Sequence, residues 1–183
     1  MKKAFPIALL IFGLVFAASG IYMVSQGLDA KNQVRSELLA QNITTTPDAA
    51  IPNVQVQDAR TAKAMADIID HHSREATGGK TYSEMGRFLA VGGGDTSDEA
   101  LALKDATGQP VSNPLRNVAF QATSLRTSLY TSVMAFKVAE LVTGLGLMVI
   151  LLGLAIGGVG VALAGLAFPA FARRMHVEPV ASN

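Results

Sequence analysis

Asp67, His71 and Glu75 stand four residues apart in the stretch DARTAKAMADIIDHHSREATGG. On a helix that spacing puts all three on one face. Neutral imidazole and carboxylate are donors that zinc and non-haem iron accept. They are the only metal candidates that this sequence offers. Adjacent His72 points about 100° away on a helix, and no HExxH spacing is present. The plainer reading is an exposed polar face laced by ordinary intrahelical pairs. Gly92-Gly93-Gly94-Asp95-Thr96-Ser97 has the look of a phosphate loop but lacks the GK[ST] ending. Asp95, Asp98 and Glu99 would repel phosphate there. Ser73, Ser83, Ser124 and Ser128 have no base and third member marked by spacing. Cysteine is absent, so thiolate chemistry and disulfides are excluded. No catalytic residue, cofactor or resident metal is expected.

What must carry these residues is an unusual chain. Of its 183 residues 50% are hydrophobic and 16% charged, and the formal net charge is +1. A typical soluble domain has roughly 25% charged residues. There is no long basic tract, which argues against a nucleic-acid partner. Segments 5–24 and 141–168 contain no Asp, Glu, Lys or Arg, and mixed charge lies between them. The fold class expected is an all-α membrane protein, with two transmembrane helices that extend into an external, mainly helical domain.

The first span is FPIALLIFGLVFAASGIYMV, residues 5–24. At about 1.5 Å per residue it matches a hydrocarbon layer of ~30 Å. Ala17-Ala18-Ser19 resembles a signal-peptide cleavage site, but the apolar run continues past it through Ile21 and Val24, which favours a retained anchor. The second span, within 137–169, is longer than a simple crossing needs. Tilt or a bend near Gly157, Gly158 and Gly160 would absorb the excess. Pro169 would stop it. Lys2 and Lys3 precede the first span, and Arg173 and Arg174 follow the second. Positive flanks favour the cytoplasmic side. The expected layout is therefore a multi-pass cell-membrane protein with cytoplasmic ends (1–4 and 170–183) and residues 25–136 external. That external segment carries 12 acidic and 10 basic residues.

Glycine inside a helix costs about 1 kcal/mol relative to alanine in water. In lipid, helices associate by close contact, which small residues permit. Gly146, Gly153, Gly157, Gly160 and Ala164 form one stripe on the second span, and Gly13, Ala17 and Gly20 form another on the first. These stripes are expected to meet each other, or another protein's spans. No ionisable residue lies inside either run, so no midplane relay is expected.

In the middle segment, residues 28–43 continue the first helix outward, ending before Thr44-Thr45-Thr46-Pro47. Residues 51–57 read as extended. Asp58 is an N-cap candidate for a helix that ends at Gly78-Gly79, with Ala62, Met65, Ile69 and His72 on one face. A shorter helix is expected from Ser83, with Met85, Phe88 and Leu89 inward. Residues 91–114 read as a flexible loop. A last helix, from Pro114 or Leu115, carries an apolar stripe of Leu115, Val118, Ala122, Leu125, Leu129 and Phe136 and runs unbroken into the second span. Asn42-Ile43-Thr44 is formally a glycosylation sequon.

The pattern YMVxxGxxAK (22–31) and the segments VRSELLAQNITT (34–45), ARTAKAMADIIDHH (59–72), GGKTYSEM (78–85) and SLRTSLYTSVMAF (124–136) carry a resemblance. Together they resemble a group of small uncharacterised actinobacterial two-span membrane proteins, often labelled aromatic ring-opening dioxygenase. Relative to that group, residues 92–109 look like an insertion. The label implies ferrous iron held by two His and one carboxylate. Here the external histidines are neighbours on one helix and diverge, and His176 falls on the other side of the membrane. The label is therefore rejected as a function. The function expected is that of an accessory or scaffolding subunit, with the lipid bilayer and another integral membrane protein or a second copy as partners. An envelope ligand-binding or sensing module is the alternative, and a membrane-bound enzyme the least supported.

Overall fold

The computed structural model describes residues 4–167. Lys2, Lys3, Pro169, Arg173, Arg174 and His176, on which the expected orientation rests, lie outside them. The chain is mostly helical: α1 (Ala4–Ala40), α2 (Ala59–Ala76) and α3 (Pro114–Ala167), with two short strands, β1 (Phe88–Leu89) and β2 (Asp95–Thr96). It divides into two compact units. Among the described residues, one combines 4–32 with 138–167, and the other is Gln33–Lys137.

The first unit is an antiparallel helical hairpin. α1 and α3 are both long and apolar enough to cross a membrane, with mean hydropathy of 2.4 and 2.6 in their most apolar windows. Only 11% and 17% of those windows are buried, whereas a core helix in a soluble protein is mostly covered. Large side chains face outward: Leu14 is 72% exposed, Met148 67% and Leu166 81%. The buried positions are small and regular. Pro6, Gly13, Gly20 and Gly27 recur every seven residues on α1, as do Ala139, Gly146, Gly153 and Gly160 on α3. A seven-residue period is the repeat that keeps one seam closed between helices coiling left-handedly. α3 is one continuous helix through Gly157, Gly158 and Gly160.

The second unit has a mixed architecture. Its core joins Leu38 from α1, Val56 from the segment before α2, Ala62 and Ala66 of α2, and Leu129 and Phe136 of α3. α2 forms where the sequence predicts it. The Asp58 carboxylate accepts from the Thr61 N–H at 2.8 Å, and the Thr61 hydroxyl reaches back to the Asp58 N–H, so two orphan donors are met. Gly78 and Gly79 then take positive φ and release the chain. Residues 51–57 contribute one antiparallel bridge, Thr44 to Gln55.

The second unit departs from expectation in three places. The helix expected from Ser83 is a single 3-10 turn, Tyr82–Glu84, followed by β1. Segment 91–114, read as a flexible loop, is held by backbone pairing. β2 pairs antiparallel with β1, and bridges join Phe88 to Ser112, Ala90 to Ala102 and Lys104 to Pro110. The physical reason is turn chemistry at a distance. Gly92, Gly93, Gly94 and Gly108 all adopt positive φ, so the chain can double back and satisfy its own amides. Gly86 lies against the Thr96 backbone, where a Cβ would be 2.5 Å from its carbonyl carbon. The α3 stripe is also narrower than expected. Ala119, Ala122, Leu129 and Phe136 are buried, but Leu115, Val118 and Leu125 are 43%, 41% and 55% exposed.

Candidate functional site

The glycine seam of the hairpin is defined atom by atom. A Cβ on Gly13 would lie 2.6 Å from the Gly157 amide nitrogen and 2.7 Å from the Gly153 carbonyl oxygen. One on Gly20 would lie 2.6 Å from the Gly146 oxygen, and one on Gly153 2.6 Å from the Ala17 nitrogen. One on Gly160 would lie 3.0 Å from the Leu10 nitrogen. Backbone meets backbone at Gly13, Gly20 and Gly153, so no side chain fits at those three positions. Of the eight packing residues expected from sequence, Gly13, Ala17, Gly20, Gly146, Gly153, Gly157 and Gly160 lie on this seam. Ala164 is buried at 7% exposure.

Sequence reasoning missed Gly27, Ala139 and Thr143. Gly27 meets the Thr143 hydroxyl, and a Cβ there would be 2.9 Å from the Ala139 oxygen. Thr143 spends its own proton on the Ala139 carbonyl, at 2.9 Å. The signal was present: Gly27 is one heptad beyond Gly20. The apolar run stops at Val24, and the reading stopped with it. Gly144, Gly158 and Gly165 have open space around them and belong to the outer surface.

The metal candidates do not converge. Asp67 accepts from Tyr130 at 2.6 Å and pairs with Lys63. Those two partners, the lysine first, hold its carboxyl below the usual range. His71 lies 3.3 Å from Glu75, and the His72 ring meets Asp48 at 2.7 Å. No group of three or more His, Asp or Glu suited to a metal exists among the described residues. Asp67 instead belongs to a clamp between α2 and α3. Next to it the Arg126 guanidinium meets Asp70 at 2.9 Å, and Asp70 also receives Arg74 at 3.1 Å.

Beside the clamp is a partly open cleft of about 670 Å³, lined by α1, α2 and α3 within the second unit. Leu38, Ile43, Met65, Ile69, Leu125 and Leu129 form its apolar walls, and Glu37, Gln41, Ser128, Thr131 and Ser132 supply polar atoms. Sequence reasoning did not find this cleft. Its walls come from segments up to about a hundred residues apart, and nothing local marks them as neighbours.

Two of the candidate serines donate to backbone carbonyls of their own helix. Ser124 donates to the Phe120 carbonyl at 2.9 Å and Ser128 to the Ser124 carbonyl at 3.1 Å. In comparisons with known proteins, no family model, no curated protein and no solved structure matches this chain.

Proposed function

We propose that this chain is an integral membrane protein acting as a non-catalytic accessory or scaffolding subunit. In this reading the hairpin spans the bilayer, both termini are cytoplasmic, and the polar unit stands outside. One observation carries it: two apolar helices whose glycine faces are spent on each other while their large side chains point outward. A surface of that kind is stable in hydrocarbon and costly in water. Because the seam is used within the chain, a partner would meet the outer faces, including Gly144, Gly158 and Gly165, or the polar unit. Pull-down of the full chain in mild detergent, followed by mass spectrometry and sizing, tests the assignment. The expected result is a second integral membrane protein, or a second copy, at fixed stoichiometry. A solitary monomer would contradict it. A second reading, an envelope ligand-binding module, is favoured by the apolar cleft.

A further inference from the structure

The cleft of the second unit has a one-sided hydrogen-bonding character. A hydroxyl has one proton to donate and two lone pairs to accept with. Here the protons are already committed. Ser128 donates to the Ser124 carbonyl at 3.1 Å, Thr131 to the Thr127 carbonyl at 2.9 Å and Ser132 to the Ser128 carbonyl at 3.3 Å. Each hydroxyl therefore presents only lone pairs to the cleft. Glu37 adds a carboxylate, which accepts and does not donate, and it has no ion-pair partner among the described residues. Arg35, two residues away, donates to Gln57 at 2.6 Å. Gln41 alone offers side-chain N–H groups at the rim. The walls are apolar, and Met65 and Ile69 supply adaptable and shaped surface.

An apolar body with a hydrogen-bond-donating cation at one end complements such a site. Apart from the Gln41 amide at the rim, an anion would meet only lone pairs and a like charge. The volume lies inside the roughly 300–1,000 Å³ range of small-molecule sites. We propose that this cleft binds a free, single-bodied apolar amine, its ammonium on Glu37 and the α3 hydroxyl oxygens. This goes beyond the scaffolding reading and does not depend on it, because ligand binding and partner capture are measured separately.

The test uses the full chain in phosphatidylcholine nanodiscs and a decylamine probe carrying a diazirine. Probes of equal length ending in carboxylate or hydroxyl are run beside it, at pH 7. Light-induced adducts are mapped by mass spectrometry. Saturable labelling of segments 34–43 and 125–135 is expected, with the amine preferred about tenfold over the carboxylate, in line with a charge-assisted contact. Glu37→Gln, at an exposed position, should fold normally and bring that preference within about twofold. Ala135→Leu, which narrows the cleft, should lower labelling by all three probes. Unsaturable or absent labelling there, equal labelling by amine and carboxylate, or a preference that survives Glu37→Gln would overturn the proposal. Loss of labelling when phosphatidylethanolamine replaces phosphatidylcholine would assign the site to a lipid headgroup and overturn the free ligand.

Discussion

Gly153 and Gly158 sit five residues apart on α3 and should respond oppositely to the same substitution. A methyl on Gly153 would stand 2.6 Å from the Ala17 nitrogen, while one on Gly158 meets nothing within 4 Å. Gly153→Ala should therefore destabilise the hairpin by about 1–3 kcal/mol, the usual cost of overpacking. Gly158→Ala should be neutral or mildly stabilising, since it removes only the flexibility of glycine. Thermal unfolding of both variants in one detergent separates the two outcomes. Tyr130→Phe removes the hydroxyl that donates to Asp67 at 2.6 Å. The expected loss is about 1 kcal/mol, at the modest end because the pair is exposed.

Acid sensitivity has the same residue-level origin. Asp67, Asp95 and Asp105 are all held below the ordinary value of 3.8. Lys63 and then Tyr130 do this to Asp67, Lys80 and then the Gly86 N–H to Asp95, and the Thr107 hydroxyl and then the Gln109 and Thr107 amides to Asp105. A depressed folded pKa contributes stability that is present above the unfolded value and lost as pH falls through the folded one. The urea midpoint of the full chain should thus be flat from pH 7 to 5 and fall below about pH 4. Asp105→Asn should make that acid limb shallower. A midpoint that rises on acidification would contradict the assignment.

Among the elements, α2 shows how far local chemistry reaches. Asp58, Gly78 and Gly79 set its two ends, and both ends were readable from residue type alone. Asp58→Ala should cost about 0.5–2 kcal/mol, and amide exchange in the first turn should speed up first. The 83–89 stretch went the other way. Met85, Phe88 and Leu89 suit a helix face, but the partners that draw Phe88 and Leu89 into strand pairing are Thr96, Asp95 and Ser112. Asn113 completes the motif. It is 3% exposed, donates to the Gly86 carbonyl at 3.1 Å and accepts from the Leu115 N–H at 3.1 Å, so it starts α3 and ties down the β segment together. No spacing rule announces a contact 27 residues long. The α3 stripe failed more simply. A helical period identifies which residues share a face, while burial needs an opposing element, and Leu115 and Val118 are left 43% and 41% exposed.

For the whole molecule, the charge-free runs and the glycine period were legible because each is a property of one helix. The clamp of Asp67 with Tyr130 and Asp70 with Arg126, and the cleft beside it, were not, because they join residues brought near only by folding. In the proposed function, hydrocarbon and not water covers the outward faces of α1 and α3. The chain contains no cysteine, so single cysteines can be introduced without background. Phe12 and Leu151 are 58% and 65% exposed on those faces, and Glu99 is exposed in the polar unit. The most direct measurement is the rate at which a membrane-impermeant maleimide modifies Phe12→Cys, Leu151→Cys and Glu99→Cys in intact cells. Rapid modification at position 99 from outside is expected, and none at 12 or 151 until detergent dissolves the membrane. Comparable rates at all three positions in intact cells would contradict the proposed function.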